Sequence, residues 1–199
     1  MNSLCWNCRG IRNPRTVYAL RDYVQCWNPN LVFLSETKSK CRHMEKIKFK
    51  LGFTNGLCVS SRGRNGGLAL FWSSDTKLEI KSYYNHHIDA IITEADTGLV
   101  WRFIEFYGYL ETHLREESWK LLSYLHSQFN LLWFCCGDFN EILSMTEKAS
   151  GAQRSQNQMD GFRRIVNHCG FKDLGYCGLD YTWCNMDGSD ISRTLLFTI

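Results

Sequence analysis

Leu131-Leu132-Trp133-Phe134-Cys135-Cys136-Gly137-Asp138-Phe139-Asn140 is the stretch on which the reading of this chain turns. Its first six residues are continuously apolar, as expected of a β-strand covered on both faces. The run stops at Gly137, a residue that permits an unusual backbone or the close approach of a ligand. Asp138 and Asn140 follow, two positions apart, so on an extended backbone their side chains point to one side. The same text also fits an Asx-type turn that satisfies only local hydrogen bonds. Three other apolar runs end in the same manner. Leu4-Cys5-Trp6 leads to Asn7, Leu31 to Leu34 leads to Ser35-Glu36-Thr37, and Phe103-Ile104-Glu105-Phe106 leads to Tyr107-Gly108. In open α/β sheets, ligands bind just beyond strand ends, where the scaffold fixes side chains while water and substrate can enter. Each residue alone has a plainer reading: Glu36 can open a polar loop, and Asn7 and Tyr107 can complete local hydrogen bonds.

Around these strand ends, apolar runs alternate with amphipathic stretches. Gly67 to Trp72 is a further buried strand, fed by a turn at Arg64-Asn65-Gly66-Gly67. Leu78 to Lys81 and Val100 to Phe106 alternate more, which predicts strands with one wetter face. Pro14 suits the first turn of a helix running toward Trp27, with Val17, Leu20 and Val24 on one stripe. Met44, Ile47 and Leu51 mark a second helix ended by Gly52, and Leu114 to Phe129 a third, with Trp119, Leu122 and Leu125 on its apolar face. Met159, Phe162, Ile165 and Val166 mark a fourth, stopped by Gly170. Helices interleaved with strands predict a layered α/β domain. Only Pro14 and Pro29 break the chain, and no linker-like tract, repeat or low-complexity segment interrupts the 199 residues, so one domain is expected.

Composition narrows the class. At 44% apolar and 22% charged residues, the chain is neither disordered nor fibrous. Its net charge of +3 is compatible with an anionic partner without identifying one. The basic groups Arg9/Arg12/Arg15, Lys38/Lys40/Arg42, Arg62/Arg64 and Arg163/Arg164 each read first as solvated surface. Ten cysteines raise the question of a disulfide scaffold, but several lie inside apolar runs, where Cys behaves as a small hydrophobe. The N-terminus lacks a basic segment followed by a long apolar one. Reduced thiols and a nuclear or cytoplasmic rather than secreted protein are therefore expected. Cys5-x-x-Cys8 has a zinc-ligand spacing without a second close pair, so buried or incidental thiols are the favoured reading. No apolar stretch approaches the ~20 residues that span a bilayer.

Taken together, Trp6-Asn7-Cys8-Arg9-Gly10, Ser35-Glu36-Thr37-Lys38, Phe106-Tyr107-Gly108 and Gly137-Asp138-Phe139-Asn140-Glu141 occur in the order and rough spacing of the endonuclease/exonuclease/phosphatase superfamily, which this sequence resembles. The text around them is similar to the endonuclease domain of plant non-LTR (LINE-type) retrotransposons. Asn13-Pro14-Arg15-Thr16, Gly66-Gly67-Leu68-Ala69-Leu70, His87-Ile88-Asp89-Ala90, Asp138 to Leu143 and Thr182-Trp183-Cys184-Asn185 carry this likeness, which covers roughly residues 2 to 185.

The resemblance implies a layered α/β sandwich of two packed mixed β-sheets flanked by helices. Residues 1–185 would form the domain and 186–199 a divergent tail. It implies a Mg2+-dependent endonuclease, with Mn2+ as a substitute, that nicks DNA as a monomer. In a full-length relative, a reverse transcriptase follows on the same chain. Glu36 would be the principal metal ligand with Asn7 in the same shell or on phosphate. Asp138 would orient or deprotonate the attacking water, Asn140 and Tyr107 would contact the scissile phosphate, and Thr182 would lie on the phosphate side. Some family members have an acid where Arg9 stands here. A Ser-Asp-His motif is expected near the domain end, yet no His follows His168, and the text drifts after Asn185. That ending reads as a truncation or frameshift, with the last strands missing and activity impaired. Competing readings are a superfamily phosphatase of inositol lipids or a sphingomyelin-cleaving enzyme, a non-catalytic relic that at most binds nucleic acid, and a zinc interaction module.

Overall fold

The computed structural model describes residues 1–199 except 64, 152, 175–182, 185–190, 193–196 and 199. Its architecture is the layered α/β sandwich expected from the sequence. Contacts divide the chain into two compact units, Met1–Glu105 and Phe106–Ile199, and the division falls within one strand.

The first unit begins with β1 (Ser3–Asn7), α1 (Pro14–Trp27) and β2 (Leu31–Ser35). Pro14 opens α1 behind the N-cap Asn13, whose side chain accepts the Arg15 N–H at 3.0 Å, and Asn28 closes it in the left-handed region. α2 (Cys41–Lys50), β3 (Asn55–Val59) and β4 (Leu68–Trp72) follow, completing a mixed sheet in the order β1-β2-β4-β3. β1 and β2 are parallel, whereas β4 runs antiparallel to both β2 and β3. β2 is buried along its whole length, as its unbroken apolar run requires. Its alternate residues serve two layers. Val32 and Leu34, with Ala69 and Phe71 of β4, pack beneath Leu20 of α1 and Met44 and Ile47 of α2. Leu31, Phe33, Leu68 and Leu70 occupy the opposite face and are equally buried.

β5 (Lys77–Tyr84) and β6 (His87–Thr93) form an antiparallel hairpin, and β4 meets β6. The first residues of β5 alternate between exposed and half-buried, as expected. β7 (Val100–Tyr107) does not. The sequence predicted one wetter face there, but Arg102 and Glu105 are both fully buried. Arg102 is tolerated because Asp89 pairs with it in a fork, Nε to Oδ1 at 2.7 Å and Nη2 to Oδ2 at 2.8 Å. Ser82 Oγ donates to Asp89 Oδ2 at 3.4 Å and lies 2.9 Å from Nε2 of His87. Burial holds the His87 pKa below its ordinary value, against the opposing pull of Asp89. Glu105 has no such partner, since neither carboxylate oxygen makes a hydrogen bond. Burial raises its pKa well above the usual carboxylate range, with Cys5 adding to the effect.

The second unit continues from Phe106. It contains α3 (Arg115–Gln128), β8 (Trp133–Asp138), β9 (Lys148–Ser150), α4 (Gln156–His168) and four two-residue strands, β10 (Lys172–Asp173), β11 (Trp183–Cys184), β12 (Ile191–Ser192) and β13 (Phe197–Thr198). β13 pairs antiparallel with β8 and with β10, while β12 pairs with β9 and β11. Trp119 of α3 stacks on Phe162 of α4 at 4.8 Å, and Phe162 packs on Phe139, itself stacked on Phe106 at 5.3 Å. No helix among the described residues is long and apolar enough to cross a membrane. The expected boundary between 185 and 186 lies outside the described residues.

Two outcomes follow from the buried charges. Asp89→Leu leaves Arg102 without its counter-ion and should cost about 3–5 kcal/mol in urea denaturation; adding Arg102→Met should restore much of that loss. Glu105 binds its proton more tightly in the folded state, so its contribution to stability is present at low pH and lost as pH rises. Between about pH 6 and about pH 9, the Tm of the wild type should therefore fall more than that of Glu105→Gln, whose side chain stays neutral. Parallel Tm curves would contradict this.

Candidate functional site

Parallel pairing decides where the first group of polar residues emerges. Asn7 stands opposite Ser35 in register, so Asn7 and Glu36, the next residue, leave the sheet at the same end. The pairing extends into the loops: Cys8 N–H donates to Ser35 O at 3.1 Å, and Ile11 N–H to Thr37 O at 3.0 Å. Thr37 and Lys38 donate in turn to the carbonyls of Gly67 and Gly66, at 3.0 and 2.9 Å. Arg9, Glu36 and Lys38 all adopt positive φ, between 48° and 49°. Each such non-glycine residue costs on the order of 1 kcal/mol and persists only where its surroundings enforce it.

Within this frame, Asn7 Nδ2 donates to Glu36 Oε1 at 3.2 Å, and Lys38 Nζ lies 3.3 Å from Glu36 Oε2. Asn7 Oδ1 accepts the Arg9 N–H at 3.3 Å. The Glu36 side chain keeps 14% of its surface exposed, enough to meet a small ligand without being fully hydrated. Cys8, next along the chain, is buried. Its thiol belongs to the core and lies 3.3 Å from Ser35 O, and burial pushes its pKa up to about 11.

The second group lies in the second unit. Tyr107, almost fully buried, ends β7. Gly108 N–H donates to Asp138 O at 2.8 Å, and Asn140 Nδ2 donates to Gly108 O at 2.8 Å. Asp138 Oδ1 accepts the Asn140 N–H at 3.0 Å, while Asn140 itself has φ 55°. Asp138 and Asn140 therefore do not share a side through an extended backbone, as the sequence suggested: the chain curls into the Asx-type turn, and that turn relates the two side chains. Gly137 and Gly108 are required by close packing. A Cβ at Gly137 would fall on the Phe106 carbonyl oxygen, and one at Gly108 on that of Phe139.

Sequence reasoning missed the support behind this turn. Glu141, directly after Asn140, is buried and pairs with Arg115 Nη1 at 2.8 Å and with Arg154 Nε at 3.3 Å. Arg115 stands at the start of α3 among charged residues that read as a solvated face. Only the burial of Glu141 next to the Asp-x-Asn text could have pointed to it. The structure thus brings Asn7 together with Glu36, and Asp138 and Asn140 with the residue after Tyr107. The two groups belong to different compact units. Thr182 lies outside the described residues.

The donors of the first group suit a hard divalent cation. Magnesium favours oxygen ligands and keeps several waters, so one carboxylate beside an amide can suffice. Glu36 supplies that carboxylate and Asn7 the amide, while the Cys8 thiol is buried in the core. Among the described residues, no cluster of three or more His, Cys, Asp or Glu side chains offers a softer, all-protein metal cage.

The sequence matches the profile of the endonuclease/exonuclease/phosphatase family over residues 4–193. Its fold is similar to that of an AP endonuclease from Archaeoglobus fulgidus, with 16% identity and a TM-score of 0.71 over 100% of this chain and 86% of that one. It is similar also to a variant of the 3' phosphatase NExo from Neisseria, solved bound to a product DNA hairpin, with 14% identity, a TM-score of 0.76 and coverage of 100% and 86%. A third likeness is to the AP endonuclease LMAP from Leishmania major, with 12% identity and a TM-score of 0.74 over 99% and 78% of the two chains. No curated protein sequence matches the chain.

Gly137 offers a direct check of the second group. Gly137→Ala adds a methyl onto the Phe106 carbonyl at φ 133°, where side chains are rarely accommodated. It should lose about 3 kcal/mol or more in chemical denaturation. Wild-type stability in that variant would mean the β7–β8 approach is looser than described.

Proposed function

Because the chain belongs to the endonuclease/exonuclease/phosphatase family, we propose that it is a metal-dependent phosphodiesterase that nicks DNA. The observation that carries this reading is the Asn7–Glu36 pair at the shared end of two parallel strands. A phosphodiester resists hydrolysis because its oxygens repel an attacking hydroxide and its leaving group is a poor alkoxide. A Mg2+ ion, or Mn2+ in its place, would neutralise charge on the phosphate when bound at Glu36 with Asn7 beside it.

The remaining roles fall to side chains of the chain itself. Asp138 orients the attacking water and takes its proton, acting as a general base. Asn140 donates to a phosphate oxygen and Tyr107 brings its hydroxyl to the same group. Thr182 is assigned to the phosphate side. Arg9, standing where some relatives have an acid, adds positive charge near the strand end. The structure of NExo with a DNA hairpin supports DNA as the partner, through likeness of fold. The finer reading is the nicking activity of plant non-LTR retrotransposon endonucleases, in which a reverse transcriptase follows on the same chain. It rests on the text at residues 13–16, 66–70, 87–90 and 138–143. These 199 residues hold no histidine beyond His168. These 199 residues on their own, without the Asp–His pair that the resemblance implies, should turn over ~10²–10⁴-fold more slowly than a polypeptide that has it.

The test is nicking of supercoiled plasmid in Mg2+ or Mn2+, with EDTA as control. Slow cleavage is expected, and Glu36→Gln and Asp138→Asn should each abolish it while circular dichroism stays unchanged. Equal nicking by the wild type and both variants would sink these assignments. Release of phosphate from a 3'-phosphorylated oligonucleotide, without plasmid nicking, would favour a phosphatase of the same family instead.

A further inference from the structure

We propose that Cys41 and Cys58 form a reactive dithiol that exchanges with a low-molecular-weight disulfide, such as oxidised glutathione, to leave an intramolecular Cys41–Cys58 disulfide. The inference is independent of the phosphodiesterase reading and concerns a part of the first unit that reading does not use. Cys41 is the first residue of α2, and Cys58 is the penultimate residue of β3, on which α2 packs. The Cys41 thiol donates to the Cys58 carbonyl at 3.1 Å, and Ser60 Oγ donates to Cys41 Sγ at 3.2 Å. Ser60 Oγ also accepts the Cys41 backbone N–H at 3.1 Å, so the first turn of the helix is pinned to the end of β3. The Cys58 thiol lies close enough to that of Cys41 for the two to interact.

This pair differs from the other described cysteines. Cys8, Cys135, Cys136 and Cys169 are buried and Cys26 is exposed; Cys5, Cys41 and Cys58 are half-buried, and of these three it is Cys41 and Cys58 that meet, thiol to main chain at 3.1 Å. Both are therefore within reach of a small disulfide while remaining in contact with one another's residues. Burial raises the Cys58 pKa strongly, and its interaction with Cys41 adds to this, which makes Cys58 the poorer first nucleophile. The roles follow. Cys41, as thiolate, attacks one sulfur of oxidised glutathione, forming a Cys41–glutathione bond and releasing one glutathione thiolate. Cys58 then gives up its proton to solvent and attacks Cys41 Sγ, forming the Cys41–Cys58 bond and releasing the second glutathione. In net terms, two protein thiols are oxidised and one glutathione disulfide is reduced to two thiols.

The experiment uses the full chain, folded and reduced, exposed to oxidised glutathione. Free thiols are then alkylated and the protein is mapped by mass spectrometry without reduction. The expected product is one cross-linked peptide pair joining Cys41 to Cys58, with no retained glutathione. Cys58→Ser should accumulate glutathione on Cys41, and Cys41→Ser should prevent the cross-link and leave Cys58 unmodified. Cross-links spread evenly over other cysteines, glutathione retained on Cys41 of the wild type, or no modification at either residue would overturn the proposal. The wild-type map decides the matter even if a variant fails to fold.

Discussion

The parallel pairing of β1 with β2 is the constraint on which the candidate site depends. Parallel neighbours cannot be joined by a tight turn and need a crossover, which α1 provides. The reward is that both strands end on the same side. Asn7 stands opposite Ser35, and Glu36 follows at once. Were β1 antiparallel to β2 over the same five residues, its end would lie a strand length away, roughly 17 Å. The 3.2 Å contact between Asn7 and Glu36 could not then form. β2 can hold this position because it is buried throughout, with β1 and β4 on its edges and a core on each face. A one-residue slip would turn Val32 and Leu34 out of the helix-side core, so the register is fixed by the same burial that stabilises the strand.

The cost of this arrangement appears beside the sheets, where charged residues must be buried to complete the layers. The two cases in β7 are resolved differently. Arg102 keeps its charge because Asp89 supplies a fork of hydrogen bonds at 2.7 and 2.8 Å. Neither Glu105 carboxylate oxygen makes a hydrogen bond, and burial raises its pKa well above the usual carboxylate range, because holding a proton relieves desolvation more readily than exposing a charge to a low-dielectric interior. A buried ion pair and a buried acid thus occur on one strand, only three positions apart.

Much of the fold was legible because hydrophobic periodicity reports burial. The helix expected from Pro14 toward Trp27 spans those residues, and the helices inferred near Met44, Leu114 and Met159 are all present. The apolar run at Leu31 is a strand, that at Gly67 becomes one from Leu68, and that at Leu131 becomes one from Trp133, which runs on through Gly137 to Asp138 and leaves Leu132 exposed. β3 went unread because Asn55-Gly56-Leu57-Cys58-Val59 is half-buried throughout and carries no alternation. The wetter face assigned to β7 was wrong because charge was taken as a sign of exposure, whereas Arg102 finds its partner on β6, thirteen residues earlier. At the candidate site, the sequence singled out Asn7, Glu36, Asp138 and Asn140 but not how they are held. The Asx turn depends on a left-handed φ at Asn140, and the Arg115–Glu141 pair spans 26 residues. Neither is visible in local text.

Arg9 shows how such a site can change its charge without losing its geometry. The contact that orients Asn7 comes from the Arg9 backbone: its N–H meets Asn7 Oδ1 at 3.3 Å, leaving Nδ2 to face Glu36. A main-chain donor is present whatever side chain position 9 carries, provided the residue accepts φ 48°. An arginine there in place of an acid therefore removes a carboxylate while preserving the orientation of Asn7. Glu36 is left as the carboxylate of that cluster, with Lys38 as its neighbouring cation at 3.3 Å. For the cation proposed at this strand end, affinity would rest on Glu36, since a carboxylate brings both a ligand and a negative charge. The scaffold fixes the positions, and the loop side chains set the charge balance on which the chemistry depends.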